Sequence, residues 1–185
     1  MGSEMCIRES SWTQHYSSTG VTLHSITFGN NTFVAVGDYG AMETSPDGIS
    51  WQNQSQVIWE TLRGVAFGNG IFVAVGDNGK IATSPDGSTW ELNQQQVYET
   101  LRGVAYGNGT FVAVGDYGRM VTSPDGTTWE LNQQQLTWET FRGVAYGNGK
   151  FVAVGESGSM AFSPDGANWA IRTPLNSNDW DCKQM

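Results

Sequence analysis

Three segments of this 185-residue chain place an aromatic residue, an acid and an arginine at a fixed spacing. Each segment reads aromatic-Glu-Thr, then Leu or Phe, then Arg. An aromatic ring can stack on a sugar or an apolar side chain, while a carboxylate and a guanidinium bind polar or charged groups. The candidate ligand-binding residues are Trp59, Glu60, Arg63, Tyr98, Glu99, Arg102, Trp138, Glu139 and Arg142.

The same residues also have a purely structural interpretation. The aromatic rings could fill gaps between neighbouring parts of the fold, and each arginine could pair with a nearby acid. Catalysis would require unlike residues at unlike positions, so that their pKa values are pushed apart. The three arginines occupy equivalent positions, and neither His15 nor His24 belongs to a nucleophile–base set. We therefore expect no enzymatic activity and no cofactor.

Composition argues against several classes of partner. The formal net charge is −9 and only nine residues are Lys or Arg, which disfavours nucleic acid and anionic membrane surfaces. No apolar run approaches the ~18 residues of a membrane span, and no signal peptide is visible. Aspartates recur with only one carboxylate per turn, so no metal site is expected.

The candidate segments belong to a longer repeat. A pattern that starts at Thr22 recurs at Thr61, Thr100 and Thr140, in steps of 39, 39 and 40 residues. Such a period indicates one supersecondary unit copied along the chain. Residues 61–96 and 100–135 are identical at 29 of 36 positions, which suggests recent amplification of one unit.

Each unit is predicted to contain four short antiparallel strands and almost no helix. Asn69-Gly70 lies between two apolar runs and is typical of a hairpin turn. The run 71–75 is apolar at every position, which indicates a strand buried on both faces. The predicted strands of the second unit are 62–67, 71–75, 80–83 and 89–92.

Four strands in about 40 residues match one blade of a β-propeller. The sequence thus predicts an all-β fold with a single propeller domain over 1–185. The full repeats are 22–60, 61–99, 100–139 and 140–172. Segments 4–16 and 178–185 resemble parts of a blade, so a composite blade formed by both termini would close a five-bladed ring.

Cys6 and Cys182 fall in this composite blade and are candidates for a disulfide that clamps the ring. Two unrelated free thiols are the alternative. A four-bladed ring, or a fragment of a larger propeller that must form a homo-oligomer, also remains open. A closed ring would be monomeric.

The turn-plus-tryptophan segments, such as Ser45–Trp51, resemble the Asp-box repeat of sialidase-type propellers, although they are one residue shorter. The longer repeat resembles propellers of the photosystem II stability and assembly factor type, over about residues 5–171. The resemblance implies structural roles for the aspartates and for tryptophans packed between blades. These residues are Asp47, Trp51, Asp86, Trp90, Asp125, Trp129, Asp165 and Trp169.

Such repeats serve hydrolases, lectins and assembly factors alike. The resemblance therefore implies a fold rather than one activity. Our main hypothesis is a non-catalytic scaffold that binds protein. A multivalent lectin with one sugar site per blade is the alternative. A sialidase-like glycoside hydrolase is a more remote alternative. It is considered because sialidases bind the substrate carboxylate with three arginines, and this chain has three arginines at repeated positions.

Overall fold

The computed structural model of the chain describes residues 16–54, 56–93 and 97–172, which form four antiparallel sheets of four strands each. Each sheet falls within one sequence repeat, and its strands pair in chain order. Sheet 1 contains β1 (Leu23–Gly29), β2 (Thr32–Gly37), β3 (Met42–Ser45) and β4 (Gln52–Asn53). Sheet 2 contains β5 (Leu62–Gly68), β6 (Ile71–Gly76), β7 (Ile81–Ser84) and β8 (Glu91–Leu92). Sheet 3 contains β9 (Leu101–Gly107), β10 (Thr110–Gly115), β11 (Met120–Ser123) and β12 (Glu130–Leu131). Sheet 4 contains β13 (Phe141–Gly147), β14 (Lys150–Gly155), β15 (Met160–Ser163) and β16 (Ala170–Arg172).

The prediction of an all-β fold is confirmed. Helical structure within the described ranges is limited to three-residue 3-10 turns between the second and third strands of each sheet, and none of these could cross a membrane. The turns are Asp38–Gly40, Asp77–Gly79, Asp116–Gly118 and Glu156–Gly158.

Turn chemistry fixes the register of the first hairpin in each sheet. In sheet 3, Asn108 and Gly109 have φ values of 47° and 76°, and Gly107 pairs with Thr110 across the turn. Two consecutive residues with positive φ give the turn whose twist matches the flanking strands, and Asn-Gly is the pair that adopts it most readily. Strand β10, which follows, is buried on both faces, as its apolar sequence predicts.

The connection from the third to the fourth strand is an aspartate turn, by which we mean residues 45–51 and their equivalents in each sheet. Asp47 Oδ1 accepts hydrogen bonds from the backbone N–H groups of Ile49 and Ser50, both at 2.8 Å. Ser45 Oγ accepts another from the N–H of Gly48 at 2.8 Å. Asp86, Asp125 and Asp165 accept the equivalent backbone bonds in their own turns.

These hydrogen bonds favour the ionised carboxylate. The N–H groups of Ser50 and then Ile49 lower the pKa of Asp47 to about 2. Asn168, through its backbone and side chain, lowers the pKa of Asp165 to about 2, and the pKa values of Asp86 and Asp125 are lowered in the same way.

Neighbouring sheets pack face to face through repeated contacts, which we call seams. At each seam an aromatic ring of the later sheet covers a glycine at the end of the first strand of the earlier sheet. The pairs are Phe67 on Gly29, Tyr106 on Gly68 and Tyr146 on Gly107. Trp90, Trp129 and Trp169 are also buried in the seams, and each indole donates a hydrogen bond to the glycine carbonyl of its own aspartate turn.

The four described sheets form an open arc. Strand β1 packs on β5, β5 on β9 and β9 on β13, but no comparable packing joins β1 to β13 within the described residues. Two apolar faces therefore have no neighbouring sheet in the part of the chain that the structure describes. The N-terminal end face carries Leu23, Ile26, Phe28, Phe33, Glu43 and Trp51. The C-terminal end face carries Gly143, Gly147, Val152, Val154, Met160 and Phe162.

The composite closing blade from 4–16 and 178–185 lies outside the described residues, except for Tyr16. Cys6 and Cys182 lie outside them as well. The five-bladed count, the closed ring and the disulfide therefore remain predictions.

We expect the aspartate turns to make stability depend on pH in the acid range. Because the folded-state pKa of Asp47 and Asp165 lies near 2, below the ordinary 3.8, their stabilisation is complete above about pH 5 and is lost as the pH falls to about 2. Asp125→Asn keeps an acceptor oxygen but cannot titrate. The difference in Tm between wild type and Asp125→Asn, followed by circular dichroism, should shrink as the pH falls.

The matched control is Glu91→Gln, which changes an exposed carboxylate that makes no hydrogen bond within the described part of the chain. Its Tm difference from wild type should vary less with pH. A pH-independent difference for Asp125→Asn would contradict the role assigned to these turns.

We expect Gly107→Ala to destabilise the protein by about 2–3 kcal/mol, because the added β-carbon would overlap the ring of Tyr146. Gly147 holds the same position in sheet 4, and no atom of the described residues lies within 4 Å of the point that a β-carbon would occupy there. Gly147→Ala should therefore leave the free energy of unfolding unchanged when urea denaturation is measured at a concentration that keeps the chain monomeric. Equal effects of the two substitutions would contradict the seam geometry.

Candidate functional site

One surface of the arc brings together the 3-10 turns and the linkers that lead to the next sheet. The side-chain amide of Gln56 donates a hydrogen bond to the carbonyl of Tyr39, and Gln135 Nε2 donates to the carbonyl of Tyr117 at 2.8 Å. Thr61 Oγ1 donates to Asp38 Oδ1 at 3.3 Å. Each predicted aromatic-Glu-Thr segment thus lies beside the preceding 3-10 turn.

The predicted arginines lie at β-bulges. Leu62 pairs with Gly76 and Gly64 pairs with Val75, so Arg63 is the extra residue between two regular pairs. Arg102 and Arg142 are the extra residues of β9 and β13, and His24 is that of β1. A bulge re-aims the side chain of its extra residue, and here it directs each side chain toward the 3-10 turn of its own sheet.

Each arginine forms an ion pair with an acidic residue of that turn. Arg63 pairs with both carboxylate oxygens of Asp77, with Nη2 to Oδ2 at 3.0 Å. Arg102 pairs in the same way with Asp116, and Arg142 pairs with Glu156. The hydrogen bond to Asp77 raises the pKa of the Arg63 guanidinium above its ordinary value. The arginines therefore stabilise the turns, and a ligand carboxylate would have to compete with these acids for them.

In sheet 1 a histidine takes the place of the arginine. His24 Nε2 lies 2.7 Å from Asp38 Oδ1. The hydrogen bond with His24 lowers the pKa of Asp38.

The predicted glutamates differ between repeats. Glu99 accepts a hydrogen bond from Arg119 Nε at 2.8 Å. Although burial alone would raise the pKa of Glu99, the hydrogen bond from Arg119 and other contacts lower it. Glu60 lies 3.7 Å from Lys80 Nζ. Glu139 forms no ion pair within the described residues, since Ser159 stands where sheets 2 and 3 have Lys80 and Arg119.

The aromatic residues at this surface face solvent rather than filling gaps between sheets. The structure places three predicted rings and two further tyrosines here, each between 59% and 82% exposed. The structural interpretation given above for the aromatic residues is therefore wrong. We call this set the aromatic surface: Tyr39, Trp59, Tyr98, Tyr117 and Trp138.

Two of these tyrosines are held in a strained backbone conformation. Tyr39 and Tyr117 have φ values of 56° and 55°, in the left-handed region that costs a non-glycine residue about 1–2 kcal/mol. Glycine at either position would avoid this cost, but both positions carry a tyrosine. Tyr39 and Trp59 line one cavity of about 190 Å³ together with Gln56. Asn78 and Ser157 have the same conformation, so it belongs to the repeated turn, and in sheet 1 it sets the Tyr39 ring at the rim of the cavity.

A second cavity, of about 340 Å³, lies on the N-terminal end face and was not expected from the sequence. It is lined by Tyr16, His24, Ile26, Glu43 and Trp51, among others. The sequence signal is a departure from the repeat, because Glu43 stands where the other sheets have Ala82, Val121 and Ala161.

The described residues include no group of three His, Cys, Asp or Glu side chains close enough to hold a metal ion. The carboxylates of the 3-10 turns are instead used in the ion pairs given above.

No protein-family profile matches the chain, and no curated relative matches it. Solved structures do match. The chain resembles YCF48 from Cyanidioschyzon merolae at 17% identity and a TM-score of 0.69, over 91% of this chain and 61% of the other. YCF48 bound to a D1 peptide matches at 18% identity and a TM-score of 0.67, over 85% and 55%.

A third similar structure is an inactive virginiamycin B lyase from Staphylococcus aureus with quinupristin. It matches at 9% identity and a TM-score of 0.76, over 88% of this chain and 59% of the other. The chain thus spans 55–61% of the length of these three proteins. At such identities the likeness defines the fold alone, and together with the four stacked antiparallel sheets it shows that this chain is a β-propeller protein of all-β architecture.

Proposed function

We propose that this chain is a non-catalytic protein-interaction module that binds peptide segments on its aromatic surface. The observation that carries the proposal is the exposure of five aromatic side chains along one side of the arc. Aromatic residues supply large contact area at low conformational cost and are enriched among the residues that dominate binding energy. A solvent-exposed row of such residues is characteristic of an interaction surface.

The charges at this surface favour a partner with basic side chains. The chain has a net charge of −9, and Glu139 lies next to the exposed ring of Trp138 without a cation of its own in the described residues. A Lys or Arg of the partner could bind Glu139 while its aliphatic stem packs on the indole. We infer a ligand segment that alternates basic and apolar residues.

Two further observations support binding rather than catalysis. The arginines that a sialidase-like site would need are paired with acids at equivalent positions in successive sheets. One similar propeller, YCF48, has been solved bound to a D1 peptide. Linked equivalent sites would also raise the avidity for a partner that carries several such segments.

The proposal is tested by selecting peptides from a phage-displayed library on the immobilised 185-residue chain and measuring the selected peptide by calorimetry. Replacing Trp59, Tyr98 and Trp138 together by Ala should weaken binding at least 10-fold, because it removes exposed contact area without touching the core. Leu92→Ala is the matched control, since Leu92 is a comparably exposed apolar residue on the outer strand β8. It should leave the dissociation constant unchanged.

Glu139→Gln tests the inferred charge preference. It should weaken a basic peptide by roughly 3- to 10-fold and leave a neutral analogue unaffected. Unaltered binding by the triple variant would contradict the proposal. So would saturable binding on a glycan array that the triple variant abolishes while no peptide is enriched, and that result would support the lectin alternative.

A further inference from the structure

Among the described residues no sheet packs on either end face of the arc, yet each end face retains the residues that form the internal seams. We propose that the N-terminal end face of one copy binds the C-terminal end face of a second copy, so that two chains form one closed ring of eight sheets. This inference does not depend on the peptide-binding proposal, because it concerns different residues.

The internal seams show how the two end faces fit together. At every seam an aromatic ring of the later sheet covers a glycine of the earlier one. Phe28 holds the ring position on the N-terminal end face and is 53% exposed. Gly147 holds the glycine position on the C-terminal end face, and no described atom lies within 4 Å of the point where its β-carbon would be. Head-to-tail association would place Phe28 of one copy on Gly147 of the other.

The remaining apolar residues of the end faces match in the same way. Val152, Val154 and Met160 correspond by register to Val73, Val75 and Ile81, which are fully buried or nearly so in the seam between sheets 2 and 3. In sheet 4 these residues are partly exposed because no described sheet covers them. Burying them against a second copy would provide the main driving force for dimerisation.

Departures from the repeat make the two end faces complementary in charge. On the C-terminal end face, Lys150 replaces Ile71 or Thr110, which at internal seams lie against the aspartate turn of the next sheet. Arg172 replaces Asn93 or Asn132, whose side chains donate hydrogen bonds to that same turn. Head-to-tail packing would therefore bring two cations to the aspartate turn of sheet 1, which contains Asp47.

Glu43 gives an independent sign that the N-terminal end face is incomplete. Its Oε1 accepts hydrogen bonds from Ser17 Oγ at 2.6 Å and from the backbone and hydroxyl of Thr19 at 2.9 and 2.7 Å. Its Oε2 is buried and has no hydrogen-bond partner among the described residues. A buried carboxylate oxygen without a donor is costly, so this face is suited to contact with a further group that carries a donor.

A closed ring of two copies would hold eight sheets. Four sheets account for 55–61% of the length of the three similar propellers, so rings of their size hold about seven sheets. The two-copy ring is therefore about one sheet larger, and each of its seams must turn slightly less. Residues 1–15 and 173–185 contain no counterpart of the five-residue apolar run of the second strand.

Sedimentation velocity and light scattering of the 185-residue chain test the inference. We expect a species of about twice the chain mass of 20.1 kDa, formed without higher oligomers because a two-fold ring closes both seams. Gly147→Ala should weaken dimerisation at least 10-fold, since its β-carbon would overlap Phe28 of the partner copy. Glu91→Ala, on an outer strand away from both end faces, should not.

Mixing two variants distinguishes head-to-tail binding from a symmetric contact between like faces. Ile26→Glu blocks the N-terminal end face, and Gly147→Glu blocks the C-terminal one. Each variant alone should be monomeric, whereas an equimolar mixture retains one intact seam and should form a heterodimer. Phe28→Ser serves as a second block of the first face, and circular dichroism checks that each variant is folded.

A wild-type chain that stays monomeric at about 100 μM would overturn the inference and favour closure by the chain's own terminal segments. A dimer that is insensitive to Gly147→Ala, or variants whose mixture stays monomeric, would overturn the head-to-tail arrangement.

Discussion

The fit of an aromatic ring over a glycine on the neighbouring sheet is the contact on which the arc depends. Each sheet is apolar on both faces and cannot remove both from water by itself. Stacking solves this problem only if the inner strands approach closely, and the missing side chain at Gly29, Gly68 and Gly107 creates the space that the ring fills. Because the ring always belongs to the later sheet and the glycine to the earlier one, this contact also determines the order in which the sheets stack.

The seams also limit which surfaces of the internal sheets stay exposed. Because the faces of these sheets are buried by stacking, their loops and linkers are the parts that remain open to other partners. The bulge that displaces Arg63 from the ladder gives that residue to the 3-10 turn, where it pairs with Asp77. This pairing stabilises a turn that holds a tyrosine or asparagine in a left-handed conformation. The ion pairs thus stabilise the turns that border the aromatic surface.

Much of the fold could be predicted because the repeat combines several signals that agree. The hairpin Asn-Gly, the apolar second strand and the Ser-Pro-Asp-Gly turn each point to the same four-stranded unit, and the structure contains it four times. The exposure of Trp59, Tyr98 and Trp138 could not be predicted, because a repeated aromatic residue has the same pattern whether it packs or projects. Only the geometry of the linker distinguishes the two.

The charged pairs show a second limit of sequence reasoning. Arg63 and Asp77 are 14 residues apart, and their pairing depends on a β-bulge that the residue types of the strand do not predict. The number of blades could not be predicted for another reason. It depends on small rotations between sheets, which are not encoded in any single repeat. Differences between repeats carry information that the shared pattern lacks. Glu43, Lys150 and Phe162 each break the pattern on an end face, where the constraint of an internal seam no longer applies. In a chain built by copying one unit, such departures mark the surfaces at which the copies stop being equivalent.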